Sequence, residues 1–263
     1  KLKNKKFKPV LDKSFRWSSW AIVKKDNGKI DFNKIKNGPD LKKFVDDQLF
    51  PYLSNFKNKA ENFDVIEYKI GEIFSELKNK IEDGYTLRDV INEVDNLHFK
   101  SSKEKYELSS LYEEKIKNMG NAGRNGGEYY TPRPLIKSII KIINPKIGET
   151  IYDGAVGSAG FLVEAFEYIK NSKSLTTTEL IKLQTKTLYG AEKKTLAYII
   201  GIMNMILHGI ESPNIIHKNT LQDNLFEIQN KDKVDVILAN PPFGGKEKSQ
   251  ILDNFPIKSK ETA

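Results

Sequence analysis

The stretch that decides the fold is Val234-Asp235-Val236-Ile237-Leu238-Ala239-Asn240-Pro241-Pro242-Phe243. Its apolar first part, residues 234–239, predicts a buried strand, and the two prolines that follow cannot extend a central strand. The chain therefore leaves the sheet at Asn240 in a stiff direction, at the carboxyl edge where open α/β sheets bind their ligands. This bend presents a side-chain amide, two backbone carbonyls and an aromatic ring at that edge.

These groups suit one kind of chemistry. An amide oxygen and a carbonyl together accept both hydrogens of an exocyclic amino group, and an aromatic ring stacks on the base that carries the amine. The arrangement therefore indicates transfer of a methyl group to a planar amine. The candidate catalytic residues are Asn240, Pro241, Pro242 and Phe243.

Short strands alternate with helices from about residue 120 up to this stretch. Such alternation predicts an α/β fold with a doubly wound, mostly parallel sheet of the Rossmann-like kind. Thr131 is predicted to cap a helix whose first residue is Pro132. The predicted strands are 150–152, 187–189, 214–217 and 234–239, and the predicted helices are 132–143, 158–169 and 192–207.

The chain before residue 120 has a different pattern, with apolar residues at helical spacing. We therefore expect an all-α N-terminal domain at 1–120 and a second domain at 121–263, joined by a flexible glycine- and asparagine-rich connector at 118–127. The first residue is lysine and no terminal element is evident, so we expect a fragment truncated at its carboxyl end. Trp17 and Trp20 are predicted to be core residues, with an interface patch as the alternative. Helices are predicted at 40–56, 65–81, 86–94 and 104–116.

Composition narrows the classes of function. The chain of 263 residues has no cysteine and three histidines without ligand-like spacing, so disulfides and thiolate sites are excluded and no metal site is predicted. No apolar stretch reaches the roughly 20 residues that span a bilayer, so no membrane partner is expected and the cytoplasm is the expected compartment. A net charge of +8 is compatible with a polyanionic partner, but a solvated lysine-rich surface explains the charge equally well.

A glycine-rich turn follows the first predicted strand and opens a helix. Its glycines allow a ligand to approach the backbone closely, and Asp153 stands at the end of the strand. The turn suits the pyrophosphate of a dinucleotide or the amino-acid end of S-adenosylmethionine, and a packing turn without a ligand is the simpler alternative. The candidate cofactor-binding residues here are Asp153, Gly154, Gly157, Ser158, Ala159 and Gly160.

Polar residues after the next two strands complete the candidate site. Glu192 can accept both hydroxyl groups of a ribose, a role that we favour over stabilisation of a helix dipole from the first turn. Asn219 is expected to line an adenine pocket, with a simple asparagine turn as the alternative. The segment GEYYTPR at 127–133 precedes the first strand, and its capped helix start can point Thr131 and nearby backbone groups at a ligand; a plain helix start with two tyrosines is the alternative that the residues alone favour.

Together these motifs carry a resemblance that none of them carries separately. NPPF at 240–243, the glycine-rich first loop and the preceding GEYYTPR resemble the adenine-N6 DNA methyltransferases, in particular the modification (M) subunit of type I restriction-modification systems. The resemblance covers roughly residues 66–243 and includes LSSLYE at 108–113. It implies a Rossmann-like fold that uses S-adenosyl-L-methionine to methylate adenine N6 in double-stranded DNA.

The resemblance also implies roles for individual residues. The sequence departs from the family's pattern at two places. In the first, Gly154 and Val156 replace the proline and cysteine of the family's aspartate-proline-alanine-cysteine-glycine loop. In the second, the basic Lys218 precedes Asn219. Both loop changes keep the side chains small, so cofactor binding is expected to survive. The implied upstream cofactor motif is Glu128, Tyr129, Tyr130, Thr131, Pro132 and Arg133, followed by the glycine loop at 158–160, the ribose-binding Glu192 and the catalytic loop at 240–243.

Three functions remain open at this point. The first is adenine-N6 methylation within a type I complex, with a specificity (S) subunit, a second M subunit and a restriction (R) subunit as expected partners. The second is methylation of a protein glutamine amide by an enzyme of the kind that usually carries tyrosine at the position of Phe243. The third is a cofactor-binding scaffold that is inactive without partner subunits. The helical domain is expected to contact DNA or a partner subunit, or to be a self-contained bundle.

Overall fold

The computed structural model describes residues 9–62, 65–97, 131–242 and 247–254, together with 108–109, 111–112, 114–115 and 118. The chain forms two compact units, Lys1–Lys100 and Ser101–Ala263. This division falls earlier than the change of composition near residue 120. The connector predicted at 118–127 and most of the helix predicted at 104–116 lie outside the described residues. In the part of the chain that the structure describes, no helix is long and apolar enough to cross a bilayer.

The first unit is built from short helices, as its apolar spacing predicts. The helix predicted at 40–56 is divided, because a π-helical turn at Val45–Leu49 separates two α-helical segments. Asn37 caps the first of these segments by accepting the N–H of Gly38 (2.8 Å). The helices of this unit are α1 (Trp17–Trp20), α2 (Gly38–Phe44), α3 (Phe50–Ser54), α4 (Phe56–Lys59), α5 (Ile66–Glu76) and α6 (Gly84–Asn96).

The apolar faces of these helices share one core. Trp20 belongs to this core, whereas the side chain of Trp17 is partly exposed and its indole N–H donates to Asp95 Oδ1 (2.7 Å). The buried guanidinium of Arg88 donates to the carbonyl oxygens of Ala21 (2.7 Å) and Lys36, which ties α6 to the segment that precedes α2. The first unit is therefore held together by apolar packing around aromatic side chains and by one buried arginine.

The second unit contains a four-stranded parallel sheet, which confirms the predicted fold class. β1 lies between β2 and β4, so that Tyr152 pairs with Tyr189 on one side and with Ile237 on the other. All four strands run the same way, and their carboxyl ends therefore lie at one edge. In the order β3-β2-β1-β4 the strands are β1 (Ile151–Asp153), β2 (Leu188–Glu192), β3 (Asn214–His217) and β4 (Val236–Ile237).

Helices connect the strands of this unit, as a doubly wound sheet requires. The two that follow β1 and β2 are the most apolar, and they bury Phe166 and Tyr198 almost completely. A capping box between Thr176 and Glu179 begins the helix before β2. The helices of this unit in the described residues are α7 (Arg133–Ile143), α8 (Gly160–Ser172), α9 (Thr177–Thr185), α10 (Thr195–Leu207) and α11 (Ser249–Leu252).

Two predictions about local structure are wrong. Thr131 does not cap α7, because the helix begins at Arg133 with Pro132 in the capping position, and the Thr131 hydroxyl makes a different contact that is described below. The stretch 234–239 is not a buried strand, since β4 covers only Val236–Ile237 and Ile237 is 69% exposed. Among the described residues β4 pairs only with β1, so it is an edge strand. The face of the strand that carries Ile237 is exposed.

Candidate functional site

The carboxyl edge of the sheet gathers the predicted polar residues. Asp153 and Glu192 are the last residues of β1 and β2, while Asn219 and Asn240 lie a few residues beyond β3 and β4. Because β1 is flanked by β2 and β4, the glycine-rich loop after β1 has Glu192 on one side and Asn240 on the other. The predicted cofactor-binding and catalytic groups therefore meet at one edge, where parallel sheets bind ligands.

The glycine-rich loop is shaped by hydrogen bonds and by two residues with left-handed backbone. Asp153 Oδ1 accepts the N–H of Ala155 (3.0 Å) at the start of the loop. Gly157 has a φ of +53° and Ala159 a φ of +61°. The alanine costs roughly 1–2 kcal/mol in this conformation, so its surroundings must hold it there. A Cβ atom on Gly160 would lie 2.8 Å from Ile136 Cδ1 and 3.0 Å from Arg133 Nη1, so a larger residue there would require these side chains to shift.

Glu192 joins this loop to the start of α10. Its Oε2 accepts the N–H of Gly157 (2.9 Å) and its Oε1 accepts the N–H of Lys194 (2.8 Å). An ionised carboxylate has about four lone-pair sites, so each oxygen can still accept a hydroxyl group. Glu192 precedes the first turn of α10, which begins at Thr195, and its contacts therefore differ from those of a glutamate that only stabilises a helix dipole.

Asp153 is almost completely buried at the end of β1. Burial raises the pKa of the Asp153 carboxyl group to about 7, and the negative charge of Glu192 acts in the same direction, against the hydrogen bond from Ala155. Two acidic groups around one loop favour a ligand that carries positive charge, because a nearby cation stabilises both ionised forms. This edge of the sheet is therefore electrostatically suited to a cationic ligand.

Asn219 lies beside a cavity of about 360 Å³. Its Oδ1 accepts the N–H of Leu221 (3.1 Å), so the side chain forms the asparagine turn that was the alternative interpretation. Its Nδ2 donates to Glu247 Oε2 (3.2 Å), so the same side chain also faces a charged neighbour. The role of Asn219 in an adenine pocket stays a prediction. The cavity is lined by Lys193, Asn219, Gln222, Glu247, Lys248 and Ile251.

Asn240 is exposed beyond the end of β4. Its Nδ2 donates to Thr131 Oγ1 (3.1 Å), which connects the predicted catalytic loop to the segment GEYYTPR. The N–H of Leu238 donates to the carbonyl of Tyr152 (2.9 Å), so the parallel register continues beyond β4 and keeps the loop beside β1. With the amide nitrogen engaged by Thr131, Asn240 Oδ1 is the atom that can accept an amino hydrogen.

Arg133 supports the glycine-rich loop from α7. Its Nη1 donates to the carbonyl of Gly160 (2.7 Å), where α8 begins. This hydrogen bond joins Arg133, the last residue of GEYYTPR, directly to the glycine-rich loop. The predicted site residues Glu128, Tyr129, Tyr130 and Phe243 lie outside the described residues.

The two departures from the family's pattern have structural explanations. Val156 is buried, and its Cγ2 would lie 2.4 Å from a Cβ atom on Gly190, so the valine fills the space beside β2. A Cβ atom on Gly154 would lie 3.2 Å from Tyr152 Cε1 and 3.3 Å from Thr220 Cγ2, so glycine suits the close packing there, and its carbonyl accepts the hydroxyl of Thr220 (2.7 Å). Lys218 Nζ pairs with Asp223 Oδ2 (2.6 Å), so its positive charge is compensated next to Asn219.

Sequence reasoning missed three residues of this edge. Asn204 is completely buried on α10, and its Nδ2 donates to the carbonyl of Ser158 (2.7 Å), which fixes the glycine-rich loop from behind. An asparagine inside the apolar run of residues 195–207 was the signal that could have found it. Lys193 and Glu247 form an ion pair beside Asn219, and no local pattern marks either of them.

A parallel sheet with a glycine-rich loop and an acid at the end of β2 is typical of a Rossmann-like domain, and an acceptor-bearing bend after β4 suits a methyltransferase that acts on an amine. The sequence model of the N-6 DNA Methylase family matches residues 103–263. The chain belongs to this family, and the predicted resemblance is confirmed. LSSLYE at 108–113 is also part of the second unit, where the hydroxyl of Tyr112 donates to the carbonyl of Ile200 (3.2 Å).

Similar proteins are methylase subunits of type I restriction enzymes. The chain is 37% identical over 256 residues to the EcoEI methylase subunit of Escherichia coli, covering 96% of this chain and 49% of that protein. A crystal structure described as a modification subunit of a type I restriction enzyme from Vibrio vulnificus YJ016 matches with a TM-score of 0.81 and 37% identity, over 98% of this chain and 54% of that one. A chain from a structure of a type I restriction-modification (R-M) system matches with a TM-score of 0.77 and 35% identity. The match covers 96% of this chain and 48% of that one. The chain spans about half the length of these relatives.

Family membership implies S-adenosyl-L-methionine as the methyl donor, and the described residues fit this cofactor. Glu192 keeps acceptor capacity for two ribose hydroxyl groups. Asp153 and Glu192 favour the positive charges that a sulfonium and an ammonium group carry. The left-handed Gly157 and the tight packing at Gly160 leave a backbone turn that a ligand can approach closely.

Proposed function

We propose that this chain methylates adenine N6 in double-stranded DNA with S-adenosyl-L-methionine, as part of the modification subunit of a type I restriction-modification complex. One observation carries the proposal. The acceptor Asn240 and the buried acids Asp153 and Glu192 flank one glycine-rich loop at one edge of the sheet. Family membership and the similarity to type I methylase subunits support the same reaction.

The cofactor end of the site has a binding role in this proposal. Glu192 accepts the ribose hydroxyl groups, and the loop from Asp153 to Gly160 holds the amino-acid end. Asn219 lines the pocket for the adenine of the cofactor. When bound, the cofactor supplies a methyl group that its sulfonium already activates. Asn204 and Arg133 keep the loop in place through the carbonyls of Ser158 and Gly160.

The catalytic end binds the amino group of the target adenine. Adenine N6 is a poor nucleophile because its lone pair is delocalised into the ring. Asn240 Oδ1 and the backbone carbonyl of Pro241 each accept one N6 hydrogen, which favours a pyramidal nitrogen and stabilises the positive charge that develops on it. Preorganised acceptors of this kind are usually the largest contribution to catalysis. Phe243 stacks on the extruded base, a contact that contributes roughly 1–3 kcal/mol.

The proton balance requires no dedicated base before methyl transfer. N6 gains the methyl group while it still carries two hydrogens, and the resulting cation then loses one of them to water. The hydrogen bonds to Asn240 and Pro241 hold these hydrogens throughout. A base needs to act only after the new bond has formed, when the proton is strongly acidic.

The partners in this proposal are double-stranded DNA, an S subunit that chooses the DNA sequence, a second M subunit and, in the full complex, an R subunit. We place the reaction in the cytoplasm. The helical N-terminal domain, proposed at 1–120, contacts DNA or one of these subunits. Its charge supports this role only weakly, because lysines are spread over the whole chain.

The proposal is tested by supplying the full-length protein with tritium-labelled S-adenosyl-L-methionine and duplex DNA, with and without its S subunit. We expect label on adenine N6 only when the S subunit is present. A protein substrate with an exposed glutamine, such as a peptide release factor, is included in a parallel reaction. Label on the glutamine amide would establish the alternative substrate, and no label under any condition would leave the chain as a cofactor-binding scaffold.

A further inference from the structure

Residues 247–254, here called the exit segment, follow the catalytic loop and return to the cofactor side of the sheet edge. Glu247 Oε1 pairs with Lys193 Nζ, and Glu247 Oε2 accepts Asn219 Nδ2 (3.2 Å). Lys193 comes directly after Glu192, and Asn219 follows β3. One carboxylate therefore joins the exit segment to the loops that follow both β2 and β3.

The other end of the exit segment is also fixed to the loop after β3. Asn254 Nδ2 donates to the carbonyl oxygens of Leu221 (3.1 Å) and Gln222 (3.0 Å). Between these two attachments, Ile251 of α11 is buried and lines the cavity beside Asn219. The exit segment therefore forms one wall of the cavity in which we place the adenine of the cofactor.

The burial of Glu247 indicates a positional role rather than a simple surface ion pair. Its side chain is 12% exposed, whereas that of Lys193 is 53% exposed. An ion pair with one well-solvated partner contributes little to stability. What distinguishes Glu247 is that each of its oxygens contacts a different strand-connecting loop, so its side chain fixes the start of the exit segment in two directions.

Only a short connection in the sequence separates Glu247 from the catalytic loop. Four residues separate Pro242 from Glu247 in the sequence. Because a chain spans at most about 3.6 Å per residue, Pro242 lies within about 18 Å of the Glu247 anchor. At its other end the catalytic loop is held by β4 and by the hydrogen bond from Asn240 to Thr131. Among the described residues, the contacts of Glu247 are the first attachments that follow Pro242.

We propose that Glu247 is a positioning residue that fastens the exit of the catalytic loop to the adenine end of the cofactor site. This inference rests on the proposed function, because it assigns the cavity to the cofactor. A cofactor that packs against the exit segment stabilises the anchored loop, and by thermodynamic reciprocity the anchored loop tightens cofactor binding by the same factor. Glu247 therefore affects cofactor affinity and methyl transfer together, without touching the reacting atoms.

The test uses the full-length protein and S-adenosylhomocysteine as the probe. The variants are Glu247→Ala, Lys193→Met and the double variant, with Glu247→Gln as a second substitution that keeps the size of the side chain. The matched control is Asp223→Asn, which removes the ion pair with Lys218 at the same edge of the sheet. Calorimetry gives the dissociation constant, and hydrogen–deuterium exchange of residues 248–254 reports on the exit segment.

We expect Glu247→Ala to weaken S-adenosylhomocysteine binding roughly tenfold, as loss of hydrogen bonds to a charged group does. Lys193→Met should weaken binding less, and the double variant should equal Glu247→Ala within about twofold, because the two side chains act through one contact. In the wild type and in Asp223→Asn, S-adenosylhomocysteine should slow exchange in residues 248–254. This protection should be absent in Glu247→Ala. Glu247→Gln, which keeps an acceptor for Asn219, should bind with intermediate affinity.

Methylation at saturating cofactor separates positioning from binding. In the complex with the S subunit, Glu247→Ala should stay slower than the wild type by at least about threefold even when every site is filled, because its catalytic loop is less well fixed. Recovery of the full wild-type rate at saturation would overturn the positioning role. So would wild-type affinity in Glu247→Ala, additive effects in the double variant, or ligand-dependent protection that survives the substitution.

The outcome also separates this inference from the proposed function. If the wild-type protein binds S-adenosylhomocysteine and methylates DNA while Glu247→Ala behaves like Asp223→Asn, the proposed function stands and the role of Glu247 is wrong. If the wild-type protein does not bind S-adenosylhomocysteine, the cofactor assignment fails and the role of Glu247 fails with it.

Discussion

The cofactor end and the catalytic end of the site, which both lie at the carboxyl edge of the sheet, are built differently. At the cofactor end, Glu192 is buried and both of its carboxylate oxygens accept backbone N–H groups. At the catalytic end, Asn240 is exposed and donates one hydrogen bond, to Thr131. A buried and hydrogen-bonded group keeps its position before a ligand arrives, whereas an exposed side chain can adjust when a ligand or a partner binds.

This difference indicates how the work of the site is divided. The cofactor end is preorganised, so substitutions there should change cofactor affinity and the free energy of unfolding. In the proposed function, DNA and partner subunits complete the catalytic end, so substitutions there should change the methylation rate and leave the folded chain unaffected. Each prediction below tests one side of this division.

The largest effect is expected from Asn240→Ala. The substitution removes an acceptor for the N6 hydrogens, and by analogy with the loss of one oxyanion-hole donor the methylation rate should fall by roughly 100-fold or more. Cofactor affinity should stay within about twofold of the wild type. Single-turnover methylation and calorimetry with S-adenosylhomocysteine measure the two quantities. Asn171→Ala, which alters an exposed asparagine on α8, is the control and should change neither. A normal rate in Asn240→Ala would remove the assigned catalytic role.

Glu192→Ala should have the next largest effect, and this effect concerns cofactor binding at the cofactor end of the site. It removes the proposed ribose acceptor and leaves the N–H groups of Gly157 and Lys194 without their partner. We expect S-adenosylhomocysteine binding to weaken roughly 10- to 100-fold, from a loss of about 1.5–3 kcal/mol, and the Tm to fall. Glu167→Ala on α8 serves as the control, since Glu167 pairs only with exposed neighbours in the described residues. Unchanged affinity would show that Glu192 has a purely structural role.

Thr131→Val tests the hydrogen bond between Asn240 and Thr131 at the catalytic end. Valine keeps the shape of threonine but cannot accept the Asn240 Nδ2–H group. The net value of one such bond is about 0.5–1.5 kcal/mol, so the methylation rate should fall roughly two- to tenfold while cofactor affinity is retained. Thr131→Ser keeps the hydroxyl group and should methylate like the wild type. Equal rates in the valine and serine variants would show that this hydrogen bond does not position Asn240.

Asp153→Asn is expected to have the smallest effect, a change in the pH dependence of thermal stability at the cofactor end. The folded-state pKa of Asp153 is raised from 3.8 to about 7, so between these values the folded chain binds more protons than the unfolded chain, and stability falls as pH rises through this window. Asparagine keeps an oxygen for the N–H of Ala155 and has no charge. In the absence of cofactor, its Tm should exceed that of the wild type by a few degrees at pH 8.

The pH dependence is the control for Asp153→Asn. The difference in Tm between the variant and the wild type should shrink as the pH falls from 8 toward 4, because the wild-type carboxyl group takes up a proton in the folded chain. Thermal unfolding at several pH values measures this trend. A difference that is constant with pH, or a variant that is less stable than the wild type at pH 8, would contradict the burial of an ionisable group at this position.

Local patterns predicted the elements of the sheet and the positions of the acids. The strand predicted at 214–217 matches β3, and Asp153 and Glu192 stand at the ends of β1 and β2 as expected. These features depend on residues that are close in sequence, since strand propensity, turn glycines and a polar residue after an apolar run occur together. The parallel direction of the strands follows from their alternation with helices.

Contacts between distant residues could not be predicted in this way. The hydrogen bond between Asn240 and Thr131 joins positions 109 residues apart, and the pair of Lys193 and Glu247 joins positions 54 residues apart. The exposure of Ile237 depends on what covers the face of β4, which its apolar neighbours in sequence do not determine. Contacts between distant residues therefore determine the hydrogen-bond partner of Thr131, the exposure of β4 and the position of the exit segment.

The central claim is that one sheet edge holds the cofactor at Glu192 and presents Asn240 to the target amine. A crystal structure of the full-length protein with S-adenosylhomocysteine tests it most directly. We expect both ribose hydroxyl groups to donate to Glu192 and the sulfur atom to face Asn240 across the glycine-rich loop. A ligand bound without contact to Glu192, or with its sulfur remote from Asn240, would contradict the account.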